Sequence, residues 1–165
     1  MLVALVGAVV DVRQGRIPNW LTYPAMAMGI LLRWSFFGWR GLVSALSGCL
    51  LAGGVVFLFY AVRAMGAGDV KLVAAIGSLL GPHDAGIVLM ATAISGGVLA
   101  LVYAAARRRL SVTFRNFGSA LWFHSWRGLQ THPDLNLDNP SALRMPYGLA
   151  IATGTAYAFV TNWWR

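Results

Sequence analysis

The sequence contains no glutamate. Its only side-chain carboxylates are five aspartates: Asp11, Asp69, Asp84, Asp134 and Asp138. Charged residues make up 11% of the 165 positions, against about 25% in soluble domains, so the chain has too little charge to cover a water-facing surface. A single cysteine, Cys49, excludes a disulfide within the chain and a Cys-based zinc site. Set in an apolar run, Cys49 reads as a small buried hydrophobe. Only one long polar segment is present, over 110–144.

What is abundant is apolar: 58% of residues, with a mean hydropathy of +0.66. The length suits about six helices of ~20 residues with short connections. The expected fold is therefore all-α, a polytopic membrane protein with about six transmembrane helices, the first one short. It is expected to form a single membrane-embedded domain over 1–165, with a cytoplasmic or interfacial loop at about 107–145. The net charge of +8 raises the question of nucleic acid. The arginines lie between apolar runs rather than on one soluble face, as topology determinants do, so no nucleic-acid partner is expected.

The first run, 1–10, ends at Asp11. No basic residue precedes it and no small-x-small cleavage site precedes Asp11, which favours a membrane helix beginning near Met1 over a signal peptide. Ten residues rise only ~15 Å, half a bilayer core. Either residues are missing upstream or this helix spans the membrane only in part. A polar turn over 12–20 contains Arg13, Arg16 and Pro18, the last of which stops or restarts a helix. The second run, 21–37, carries Arg33 near its end, where it can snorkel to the interface. A turn over 38–40 leads to the third run, 41–62, 22 residues without a charge, whose glycines permit close helix approach. The turn 63–68 precedes Asp69, which opens a short fourth run, 70–80. His83 and Asp84 fall in the next turn, ahead of the fifth run, 85–106. Aromatic and apolar residues at near-helical spacing over 112–129 predict an amphipathic interfacial helix. Residues 131–141 read as loop. A sixth run, 145–164, begins with Pro146 in its first turn and ends in the interfacial pair Trp163 and Trp164.

The basic residues give an orientation. Ten of them (Arg13, Arg16, Arg63, Lys71, Arg107, Arg108, Arg109, Arg115, Arg127 and Arg144) belong to one side, and Arg33, Arg40 and Arg165 to the other. The richer side is expected in the cytoplasm. Asp11 and Asp69 then fall on that side, each at a helix–loop junction and on different helices. Two facing carboxylates share a proton and work as acid and base around one water, the chemistry of an aspartic protease. Gly66 and Gly68 would leave room for an extended backbone beside Asp69. Structural readings stand next to these. Asp69 can be an N-cap, Lys71 a snorkelling side chain, Asp11 a polar helix stop and Asn19 a cap.

The residues also carry a family resemblance. Asp11-Val-Arg-Gln-Gly-Arg-Ile-Pro-Asn19 resembles the D-x-R…I-P-N signature of prepilin (type IV leader) peptidases. Gly66-Ala-Gly-Asp-Val-Lys71 resembles their G-x-G-D-x-K signature, and Met145-Pro-Tyr-Gly-Leu-Ala150 the P-[YF]-G opening of their last helix. The resemblance implies a multi-pass enzyme of the bacterial inner membrane, with its active site facing the cytoplasm, that removes the leader from prepilins. It implies Asp11 and Asp69 as the catalytic pair. It further implies that Gly66, Gly68, Lys71, Pro18, Asn19 and Pro146 bind substrate or shape the site. Longer relatives carry a CxxC zinc domain and N-methylate the new pilin terminus. This chain lacks both the room and the cysteines, so it resembles the short peptidase-only form of Flp/tight-adherence pilus systems, without methyltransferase activity. No metal or other cofactor is expected. His124, His132, Asp134 and Asp138 match no standard ligand spacing. The expected partners are a prepilin and the lipid bilayer, with the oligomeric state left open. The competing classes are a transporter or proton-conducting protein using rim aspartates, and a non-catalytic pilus-assembly subunit.

Overall fold

The computed structural model describes residues 1–108, 110–128, 130 and 145–163, without the side chains at 117, 121, 124, 162 and 163. Its secondary structure is all helical: α1 (Leu2–Gln14), α2 (Asn19–Ala61), α3 (Ala67–Leu80), α4 (Pro82–Ala106), α5 (Leu110–Arg127) and α6 (Tyr147–Trp163). The expected all-α class is what the chain adopts. Two helices, α2 and α4, are long and apolar enough to cross a membrane.

α2 joins what the sequence divides into a second and a third run. Its 43 residues would reach ~65 Å if straight, about twice a bilayer core. They do not run straight, because Gly38 leaves the helical region at φ 56°, ψ −141°. Only glycine takes such a backbone without strain. The expected three-residue turn is thus a break at one residue, and the chain folds back so that Gly41 packs on the Arg33 carbonyl.

The two arms of α2 grip α3. The first arm runs alongside α3, with Asn19 bonded to Lys71 and the Met26 carbonyl accepting from Ser78 Oγ at 3.3 Å. The second arm runs the other way, with Gly48 against Gly77 and Gly53 against Ala74. The glycines explain the closeness: a Cβ on Gly48 would meet backbone atoms of Gly77 and Gly81. α3 is consequently the central helix, and every residue from 72 to 78 is buried. Leu72 fills the space left by Gly7 of α1.

Arg33 differs from its expected snorkelling. Its Nη1 donates to the Leu79 carbonyl at 3.1 Å and its Nη2 to Ser44 Oγ at 2.9 Å. It therefore caps the C-terminal end of α3, where the carbonyls have no helical partner. His83 and Asp84 lie in the first turn of α4 rather than in a connecting turn, behind Pro82 at its start. On the other side, α6 packs antiparallel to α4. Gly154 sits against Thr92, Ser95 Oγ donates to the Ala150 carbonyl at 3.1 Å, and the Tyr147 ring lies against Gly96.

α5 forms where an amphipathic helix is expected and leaves Phe114, Trp122 and Trp126 exposed. The loop expected over 131–141, with His132, Asp134 and Asp138, lies outside the described residues, as does the His124 side chain.

Candidate active site

Asp11 stands in the last turn of α1. It shares one face with Ala4, Gly7 and Ala8, all buried, at the spacing of a helical stripe. Gly15 ends the helix in a left-handed conformation (φ 63°), and its N–H bonds the Asp11 carbonyl at 2.7 Å. Asp11 is therefore helical, not the stop residue itself. Its side chain is only 8% exposed, and such burial of a carboxylate calls for a donor. The donor is a backbone group far along the chain: Gly148 N–H bonds Asp11 Oδ2 at 2.8 Å.

Asp69 stands in the first turn of α3. The N-cap is Gly66, so Asp69 occupies the third helical position and not the cap. Its Oδ2 accepts from the Gly66 N–H at 3.2 Å. This is the half of a capping box that a glycine cap permits, with a negative charge at the favourable end of the helix. Asp69 precedes the apolar run 70–80 and lies outside both long apolar helices. The two aspartates belong to one end of the bundle: Asp11 lies under the Gly148 N–H, and Asp69 follows Gly68, which packs on Ile17 in the turn just after α1.

The other sequence candidates separate into two groups. Gly68, Lys71 and Asn19 join the two halves of the site. A Cβ on Gly68 would come 3.0 Å from Ile17 Cβ and 3.3 Å from Ile17 N, so the space beside Gly68 is filled from within the chain rather than left for an extended backbone. Lys71 Nζ donates to Asn19 Oδ1 at 2.9 Å and lies 5.1 Å from the Tyr23 ring. Pro18, extended at φ −76° and ψ 148°, is the N-cap of α2, and Asn19 is its first residue. Gly66 faces only Asp69, whose Oδ2 would be 3.3 Å from an added Cβ.

Pro146 lies one residue ahead of α6, and in its motif the residue that reaches an aspartate is Gly148. A Cβ there would come 2.9 Å from Asp11 Cβ and 3.0 Å from Ala8 Cα. The motif contains this glycine, but its spacing gives it no role. The signal in the sequence is a glycine in the first turn of a helix, where propensity disfavours it, which marks a close approach.

The description of the type IV leader peptidase family matches residues 1–101. The chain belongs to that family. No curated protein and no solved structure matches it. The matched segment of this leader peptidase relative carries both aspartates, Asn19 and Lys71, while Gly148 on α6 lies beyond it. Membership, together with the two long apolar helices, makes the chain a membrane protein of a peptidase family.

Proposed function

We propose that this chain is an aspartic endopeptidase that cleaves the leader from type IV (Flp-like) prepilins, with Asp11 and Asp69 as its catalytic pair. The observation that carries the reading is geometric: two aspartates from separate helices, Asp11 buried under the Gly148 N–H and Asp69 at the start of α3, stand at the one end of the bundle where Gly68 packs on Ile17 and Lys71 bonds Asn19. Two carboxylates placed near each other share a proton, so one can act as acid and the other as base.

The pair acts on one water. One carboxylate takes a proton from the water as its oxygen attacks the scissile carbonyl carbon. Asp69, still protonated, gives its proton to the carbonyl oxygen. The tetrahedral intermediate then breaks its C–N bond: the pair passes its proton to the leaving amine, and one hydroxyl of the intermediate returns a proton to the pair as the C=O reforms. The products are a carboxylic acid and an amine, and the pair again shares one proton.

The remaining features fit the same reading. Asp11, near the end of α1, and Asp69, near the start of α3, stand at the ends that face the basic loops, so the site is entered from that side, the cytoplasm. The two arms of α2 and the helices α1, α3, α4 and α6 supply six spans. With α5 at the interface, the chain forms one membrane-embedded domain.

The test is coexpression of the chain with a prepilin, comparing wild type with Asp11→Asn and Asp69→Asn at equal protein levels. Both variants lose cleavage. Persistent cleavage in either rejects the pair. Cleavage also survives EDTA, and inhibition reversed by added metal rejects the aspartic mechanism.

A further inference from the structure

Lys71 is the only lysine in the chain, and it does not turn toward Asp69. Two residues further along α3, it points to another face of the helix. Its stem passes the Tyr23 ring at 5.1 Å and its Nζ reaches Asn19 Oδ1 at 2.9 Å. Asn19 and Tyr23 are four residues apart on α2, and so lie on one face of it. The contact therefore ties the N-terminal part of α3 to the first turn of α2.

What that tie controls follows from the connectivity. Asp11 lies three residues before the end of α1, and only the turn 15–18 separates α1 from α2. Asp69 lies two residues before Lys71. The stretch from Asp11 to Asn19 and the stretch from Asp69 to Lys71 are thus two short arms, closed at their far ends by Lys71 and Asn19. Gly68 against Ile17 provides the second point of contact between them. Asp11 bonds the Gly148 N–H and Asp69 the Gly66 N–H rather than each other, so their separation is set by how these arms are held.

We infer that Lys71 is a positioning residue: by bonding Asn19 across α2 and α3, it fixes the separation of Asp11 and Asp69. This deepens the peptidase reading and rests on it. The bond is exposed, where a hydrogen bond adds little to stability. A misplacement of about 1 Å in a catalytic group can nonetheless cost on the order of 100-fold in rate. Lys71 therefore acts on the rate while leaving the fold in place.

A double-mutant cycle tests this with the full chain in detergent, a synthetic prepilin as substrate, and Lys71→Met, Asn19→Leu and their combination. Each single change lowers kcat by about tenfold or more with KM unchanged. The double variant is no slower than the worse single one, and Asn19→Asp, which keeps an acceptor for Nζ, recovers most of what Asn19→Leu loses. Multiplicative losses, a raised KM at normal kcat, or wild-type kinetics in Lys71→Met overturn the inference. A second readout needs no activity: the protonated-carboxyl infrared band of Asp69, followed against pH. Asn19→Leu, which breaks the tie without removing a charge, shifts its midpoint away from the wild-type value, because the distance to Asp11 changes. An unchanged midpoint overturns the inference even if wild type cleaves nothing, and a shifted midpoint upholds the tie in a chain whose peptidase reading has failed.

Discussion

The N–H of Gly148 and the carboxylate of Asp11 are bonded at 2.8 Å across 137 positions of sequence. This contact seats the opening turn of α6 on α1, with no side chain at 148 to hold them apart. Gly148→Ala places a methyl 2.9 Å from Asp11 Cβ and 3.0 Å from Ala8 Cα, and one of those neighbours is backbone. Overpacking of this kind costs about 1–3 kcal/mol. The variant is expected to unfold at lower temperature in detergent and to lose prepilin cleavage beyond its loss of folded protein. Normal cleavage in a normally stable variant would show that the contact is dispensable.

Arg33 holds the far end of α3 through Leu79 and Ser44. Arg33→Met leaves the Leu79 carbonyl without its donor, at a cost of about 1–3 kcal/mol. Arg33→Lys recovers only part of this, because one ammonium cannot reproduce the forked guanidinium. Thermal unfolding of both variants, compared with wild type, checks the order.

Gly77 and Gly48 pack backbone to backbone. Gly77→Val forces α3 away from the second arm of α2, and the expected result is a poorly folded protein. Gly97→Ala, where nothing stands within 4 Å of an added Cβ, is the control and keeps wild-type stability. Equal behaviour of the two would remove close packing as the reason for these glycines.

Much of the architecture is legible in the sequence because its cause is local. Apolar runs and their lengths follow from composition, and the start of α2 from Pro18. The amphipathic pattern of 112–129 reports α5. The three motifs name the family to which the chain belongs, and scarce carboxylates single out Asp11 and Asp69. Where local signals mislead, the reason is also plain. The segment 38–40 reads as a turn, yet one glycine in a non-helical conformation suffices to reverse α2.

Tertiary structure alone decided which groups meet. Gly148 on Asp11, Lys71 on Asn19 and Arg33 on Leu79 are contacts across 137, 52 and 46 positions. Spacing along the chain carries no record of them. They arise because α3 is drawn into the middle of the bundle by its glycine contacts. Its two polar ends must then find partners on whichever helices surround it.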